Sequence, residues 1–550
     1  MISLIIYWIM LSPLFLGLGV LLHTIIDRYF KLQEDFSNVF VFVLLGVAVV
    51  GLIANVSSFF VPLGDGPFLF ATIYGFSLLG IYYKRHILVD SVKQISSSKI
   101  QGVVFLLILF VVVCKSASPS EILDEKGYYL PFIKWIEIYG TTPGLANLQG
   151  RFGFNSSWHI LSALVSLRWS GMLFYDLNGF IILIIIGYYL LGVSTTSAKM
   201  RYACGLFVSA FIFRNFLTSS AADLPNIYFT SLVLLWMIEK YEKKTLGEID
   251  YTFIVSFIIS FYLITIKPSS IYLLLIYLPT IVVALTNKRF NKIIWLICIG
   301  LVFIIPWCLR FYITTGYLVF PVPGIDLFNP DWKLSQQTVI VERNVVKCFP
   351  ISDTLPMEAI LKMSFVEWFP QWFKKSVFEQ KVFFIAVIFV TLYYIIRIKK
   401  YLYNLNDRLF IVFQGILLLN YIIWLTQYPD FRFAWGFILV YVFIGLYFIA
   451  QEWAFFRTKL QALTLFFLIA MTSLNVFKTL KDVSVNYKNI LIQQAPFPIG
   501  HIQVEKIHEV SYYKSDQTWD MPLPSILWWQ HPDIVLRDST LKGGFRTVKP

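Results

Sequence analysis

Two adjacent carboxylates, Asp124 and Glu125, open the polar stretch Asp124-Glu125-Lys126-Gly127-Tyr128-Tyr129-Leu130-Pro131, which lies between long apolar runs. A carboxylate at a membrane surface, partly stripped of water, can act as a general base toward a hydroxyl or other acceptor. Two neighbouring carboxylates can instead help to hold a divalent cation. In an extended segment they point in different directions, so adjacency alone does not make them one site. The plain alternative is a pair of solvated loop charges.

The chemistry-bearing residues continue along the chain. Arg151-Phe152-Gly153-Phe154-Asn155-Ser156-Ser157-Trp158-His159 offers a guanidinium that matches phosphate oxygens and an imidazole that can shuttle a proton or bind phosphate. Its structural alternative has Asn155 capping a helix that begins near Ser156, with His159 resting at the membrane interface. Asp223, in Ser219-Ser220-Ala221-Ala222-Asp223-Leu224-Pro225, either adds a carboxylate to a site or caps a helix before Pro225. Lys267-Pro268 and Arg310 each close an apolar run. Basic side chains there usually snorkel to headgroups, and they can also ligate a lipid phosphate. In Tyr428-Pro429-Asp430-Phe431-Arg432-Phe433, Asp430 and Arg432 either pair with each other or offer Arg432 to a phosphate. The run Trp368-Phe369-Pro370-Gln371-Trp372-Phe373 reads as an amphipathic interfacial helix or a lid on a lipid groove. No P-loop, GxGxxG, HExxH or GxSxG occurs, which argues against nucleotide-driven transport and metalloprotease chemistry.

These residues are positioned by apolar segments. Of the 550 residues, 58% are hydrophobic and 14% charged, against roughly 25% charged in soluble domains. Hydropathy predicts an all-α polytopic transmembrane protein of about 14 spans. They fall near 2–26, 38–58, 67–83, 101–114, 172–193, 203–219, 226–239, 252–267, 270–286, 293–309, 380–396, 409–426, 434–450 and 460–475. The first run has no basic leader and no clear small-residue cleavage site before Asp27, so it reads as a span. Segment 157–168 is apolar, but counting it as a span breaks the charge alternation downstream, so it reads as an interfacial or re-entrant helix.

Charge gives the spans a direction. Lys84-Arg85, Lys240 with Lys243-Lys244, Lys288-Arg289, Arg397 with Lys399-Lys400, and Arg457 with Lys459 fall on alternate loops, which marks that side as cytoplasmic. The opposite, outer side collects every chemically unusual loop. The chain thus divides into N-terminal spans 1–114, a first outer loop 115–171, central spans 172–309, a second outer loop 310–379, C-terminal spans 380–475 and a short outer tail 476–550. The tail is too small for a large core of its own and is expected to dock on the outer loops. The formal net charge of +13 follows largely from the basic loops and does not call for nucleic acid. The five cysteines show no metal-ligand spacing and no disulfide framework.

Asp124-Glu125 through His159, Thr315-Gly316-Tyr317 before Pro321, and Pro429-Asp430-Phe431-Arg432-Phe433 together resemble a family of large bacterial inner-membrane proteins. That family is similar to the GT-C superfamily of polyprenyl-phosphate-sugar-dependent glycosyltransferases, and the resemblance covers much of the chain. It implies a multi-pass protein of the bacterial inner (cytoplasmic) membrane with its active face periplasmic. It also implies a lipid-linked sugar donor in a groove at the membrane surface, a cell-envelope glycan, lipid or protein as acceptor, and transfer with inversion. By position, Asp124 is the candidate base and Glu125 the second, while Arg310, Lys267 and Arg432 are candidates for the donor phosphate by side and charge. Arg151, His159, Asp223 and Asp430 complete the expected substrate-binding set. No cofactor is required by this reading, although a divalent cation remains open. In GT-C proteins the loop follows the first span, whereas here about three further spans precede it. Alternatives are an O-antigen polymerase- or ligase-like enzyme, acting on a pyrophosphate carrier, and a lipid-linked glycan transporter or flippase.

Overall fold

The computed structural model describes the chain except for residues 31–37, 94–98, 121, 193–203, 205–206, 209–214, 453–469, 471–472, 475, 482, 486–489, 493–496, 498–499, 509, 531 and 549–550. Seven described helices are long and apolar enough to cross a membrane: Ile2–Phe30, Val39–Ser57, Pro268–Thr286, Phe290–Thr315, Phe378–Ile396, Leu405–Gln427 and Trp435–Glu452. Shorter apolar helices occupy Pro67–Tyr83, Gln101–Ser116, Leu177–Leu191 and Tyr251–Ile266. A further helix, Asp223–Glu242, covers the span expected at 226–239. The spans expected at 203–219 and 460–475 lie largely outside the described residues. The body is therefore that of a helical membrane protein.

Small residues bring its first helices together. A Cβ on Gly19 would stand 1.6 Å from the Phe42 carbonyl oxygen, and one on Gly46 would stand 1.7 Å from that of Phe15. Such close backbone approach is a main route to helix packing where lipid removes the hydrophobic drive. Helices Phe290–Thr315 and Phe378–Ile396 instead leave Ile297, Leu301, Ile305, Ile385, Phe389 and Ile396 exposed, a surface suited to acyl chains.

The contacts sort by face as the loop charges require. On one face Gly64 N–H donates to the Glu137 carbonyl (2.9 Å), Gly144 N–H to Ile313 (2.9 Å) and Ile2 N–H to Leu491 (3.0 Å). On the other, His23 Nδ1 meets the Tyr251 hydroxyl at 2.7 Å, Tyr241 donates to Asp407 at 2.9 Å, and Lys400 pairs with Glu452 at 2.6 Å.

Three local expectations change. Helix Ser157–Val165 is buried at every residue and packs against Val39–Ser57 and Leu130–Tyr139, so it lies inside the protein rather than on its surface. Its cap is Ser156, whose hydroxyl accepts the Trp158 N–H at 3.3 Å, while Asn155 turns the chain in the left-handed region at φ 49°. The all-α expectation fails in the tail, which forms five short strands. There β1 (Gln503–Ile507) pairs antiparallel with β2 (Val510–Ser515), β2 pairs parallel with β3 (Ser525–Leu527), and β4 (Ile534–Leu536) pairs antiparallel with β5 (Phe545–Thr547). Val510 and Tyr512 alternate inward along β2, the period of a half-buried strand. The tail docks on the first loop as expected, with Phe545 N–H donating to the Pro143 carbonyl (3.1 Å) and the Phe545 ring edge-on to Trp135.

Candidate functional site

The Asp124 segment is helical rather than extended. Residues Glu125–Tyr129 form a π-helical turn that runs into the helix Leu130–Tyr139, with Pro131 in its first turn, where a missing N–H costs little. Such turns interrupt regular helix and recur at functional sites. This one sends the two carboxylates into different environments. Glu125 is 2% exposed, and its oxygens accept the Ser220 N–H (3.0 and 3.1 Å) and hydroxyl (2.9 Å). Burial pushes its carboxyl up to about 8 against the pull of the Ser220 bonds, so it carries a proton near neutral pH. The Asp124 side chain is 38% exposed and faces Arg432, whose Nη1 lies 3.4 Å from Asp124 Oδ2.

Arg432 is fixed from two sides. Asp430 accepts its backbone N–H at 2.9 Å and its Nε at 2.8 Å. The main chain of this turn is held by two buried indoles: Trp372 Nε1 donates to the Pro429 carbonyl at 2.7 Å and Trp424 Nε1 to the Asp430 carbonyl at 2.8 Å. Trp372 also stacks on Phe431, 5.6 Å between ring centres. Trp372 belongs to the aromatic helix Phe365–Lys375, started by Glu367 accepting the Ser364 N–H at 2.7 Å. That helix exposes Phe365 and Val366 and buries Trp368 and Trp372, so it braces the Arg432 turn with one face.

Asp223 opens the helix Asp223–Glu242, and the cap position is Ala222, so the capping role does not apply. The buried Asp223 carboxylate pairs with Lys267 and accepts the Tyr129 hydroxyl at 3.4 Å. Burial works to raise its carboxyl, but Lys267 and then Arg432 outweigh it and hold the group below the usual carboxylate range. Lys267 stands where Tyr251–Ile266 breaks before Pro268, and its Nζ lies 4.0 Å from the Phe433 ring centre, a cation–π distance. Asp124, Asp223, Asp430, Lys267 and Arg432 thus form one cluster of three carboxylates and two cations. Beside it, and sharing Phe433, is a small pocket lined by Asn226, Thr230, Ser270, Asn420 and Tyr428.

Of the other expected residues, Arg151 and Arg310 pair elsewhere and His159 borders the cluster. Arg151 pairs with Glu342 of the second loop at 3.2 Å and lies over the Tyr128 and Phe154 rings, which makes it a tie between the two loops. His159 is buried between the rings of Tyr129 (4.9 Å) and Phe132 (6.0 Å) at the edge of the cluster, where Asp223 and Lys267 both act on its imidazole. Arg310 has no exposed surface, and its Nη1 donates to the Ser58 hydroxyl and to Thr141 Oγ1 at 2.6 Å. Among the described residues no group of three or more His, Cys, Asp or Glu side chains gathers to hold a metal ion.

A second polar network escaped the sequence reading. Arg168 pairs with the buried Glu137 at 2.5 Å and with Asp520 of the tail, and Lys134 reaches Asp520 Oδ1 at 3.1 Å. Next to it, Thr518 N–H and hydroxyl both donate to the Lys126 carbonyl, at 2.8 and 2.7 Å. The tail therefore grips the turn that carries Asp124. No local signal announces a contact between residues 352 positions apart.

Residues 1–439 match the family described as Domain of unknown function (DUF8201), and the chain belongs to that family. No curated protein and no solved structure matches it. The strands of the tail lie beyond the matched residues.

Proposed function

We propose that this member of the family is an integral membrane glycosyltransferase that moves a sugar, with inversion, from a polyprenyl-phosphate carrier to a cell-envelope glycan, lipid or protein. The observation that carries the reading is the pairing of a partly exposed carboxylate, Asp124, with the guanidinium of Arg432. In this reaction the acceptor oxygen bonds to the anomeric carbon and its proton passes to Asp124. The bond from that carbon to the carrier phosphate breaks, and its electron pair leaves on the phosphate. Arg432 and Lys267 supply the positive field for that developing charge. Arg432 spends Nε on Asp430 and Nη1 on Asp124, and its Nη2 donates to no described residue, so it has a donor to offer. Asp430 and Asp223 hold the two cations in place. Glu125, protonated and bound to Ser220, shapes the turn.

The basic residues of the alternate loops support an outer position for this cluster, which in a bacterial inner membrane is the periplasmic side. Donor and acceptor are then an undecaprenyl-type lipid-linked sugar and an envelope molecule. A structure of the chain with such a donor bound tests the arrangement. The expected result is the phosphate against Arg432 and Lys267 with Asp124 facing the anomeric carbon. A carrier phosphate bound away from both cations contradicts it.

One observation favours a second reading, a lipid-linked glycan flippase: polar Asn226, Thr230, Ser270 and Asn420 line a pocket among apolar helices. Vesicles that translocate the lipid-linked sugar without any covalent product select that reading.

A further inference from the structure

Among the described residues one buried cation outside the proposed reaction has no carboxylate beside it. Arg310 lies inside the helix Phe290–Thr315 with no exposed surface. The other buried cations among the described residues each have a carboxylate: Lys240 has Asp250, Lys134 has Asp520 and Lys514 has Glu505. Among the described residues no carboxylate pairs with Arg310. Its Nη1 is anchored by two neutral hydroxyls, Ser58 at the end of Val39–Ser57 and Thr141 in the first loop. Its Nε and Nη2 are buried and donate to no described residue, and the indole N–H of Trp307, one turn earlier on the same helix, is likewise buried and unpartnered.

Guanidinium does not shed its proton in proteins, so the side chain cannot escape the cost of burial by becoming neutral. Nε and Nη2 form the side-on edge through which arginine grips an anion with two parallel hydrogen bonds. That edge is the one left open, while the opposite nitrogen is fixed. With no exposed surface at Arg310, a phospholipid headgroup or a carrier phosphate has no route to it, whereas a small ion can be enclosed during folding or enter by local opening. A single negative charge balances the guanidinium, and a monoanion is far less costly to desolvate than a dianion.

We propose that Arg310 is the cation of a second, buried anion site that holds a small inorganic monoanion on its Nε–Nη2 edge, with the Trp307 N–H as a further donor. The ion neutralises the guanidinium and lets Arg310 clamp the Thr141 segment of the first loop onto the Ser58 end of its helix. This site is separate from the Asp124–Arg432 cluster and does not depend on the chemistry proposed there.

The test uses the purified 550-residue chain and bromide as the probe. Its thermal midpoint is followed as bromide replaces gluconate at constant ionic strength, because an ion that binds only the folded state raises that midpoint in a saturable way. The wild-type chain is expected to show the saturable rise and Arg310→Met to lose it. Should Arg310→Met not fold, Trp307→Phe keeps the guanidinium, removes one donor and is expected to need several-fold more bromide for the same shift. A bromide anomalous peak within hydrogen-bond distance of Arg310 Nε and Nη2 is the expected structural result. A wild-type midpoint indifferent to bromide, a response unchanged in the variants, or an edge occupied by water alone overturns the proposal.

Discussion

Arg432 reaches across 308 residues of sequence to Asp124, with Nη1 3.4 Å from Oδ2, while Asp430 holds its Nε at 2.8 Å. The planar fork of arginine is what lets one side chain serve both carboxylates and still keep a donor. Lysine offers a point charge on a flexible stem and cannot reproduce that geometry. Arg432→Lys is therefore expected to reduce sugar transfer by about 100-fold or more, the scale seen when one preorganised donor to a developing charge is lost. The thermal midpoint should change little, because Trp372 and Trp424 hold the turn through main-chain carbonyls. Initial rates and a melting curve on the same preparation check both parts.

Asp223 is buried and its partner Lys267 largely so, and the two are expected to behave as a unit. Removing either one leaves an uncompensated charge, which costs about 3–5 kcal/mol in comparable buried pairs. Asp223→Asn and Lys267→Met should each lower the thermal midpoint strongly. The double variant should recover much of the loss in stability while remaining inactive in transfer. Equal destabilisation by the double variant and the sum of the singles would show that the two side chains act independently.

Glu125 makes stability depend on pH. Its carboxyl is raised from an ordinary value of 4.5 to about 8, first by burial, with Asp176 adding to the rise. Below about pH 4.5 the group is protonated in both the folded and the unfolded chain and contributes no difference. Between about 4.5 and 8 the unfolded chain releases the proton while the folded chain keeps it, so stability falls as pH rises, and the effect levels off above about 8. Glu125→Gln keeps an oxygen for Ser220 and cannot ionise. Relative to wild type it should gain stability progressively from pH 5 to pH 8, read as the difference between the two thermal midpoints. A constant difference across that range contradicts a buried, protonated Glu125.

The tail is expected to hold the Asp124 turn in place. Asp520→Ala leaves Arg168 and Lys134 without their shared carboxylate, although the Glu137–Arg168 pair survives. The loss of these partly buried pairs should cost about 1–3 kcal/mol. It should also speed proteolytic cleavage after residue 500 before the helical body is cut. Limited proteolysis followed by mass spectrometry measures that order.

Much of the architecture was legible because it rests on local signals. Apolar runs located the helices, and lysine and arginine in short loops sorted their ends onto two faces, a division that contacts such as His23–Tyr251 and Gly64–Glu137 respect. The Asp430–Arg432 pair was legible because two residues in one turn can hardly avoid each other. The Asp223–Lys267 and Asp124–Arg432 pairs were expected only as members of one face, since their partners are 44 and 308 positions apart. The partners of Arg151 and His159 were not legible for the same reason. Glu342 and the Tyr129 and Phe132 rings that claim them come from packing, which spacing does not report. The strands of the tail went unread because each is only three to six residues long and set among Pro and Asp.

The central claim is that Asp124, set against Arg432, is the base of a sugar transfer. Its most direct measurement is the release of polyprenyl phosphate from a radiolabelled polyprenyl-phosphate sugar by the purified chain in vesicles, comparing wild type with Asp124→Asn. The predicted result is labelled acceptor and free carrier phosphate from wild type. Asp124→Asn should lose at least about 100-fold in rate while donor binding is retained. Full activity in Asp124→Asn, or translocation of intact lipid-linked sugar with no covalent product, contradicts the account.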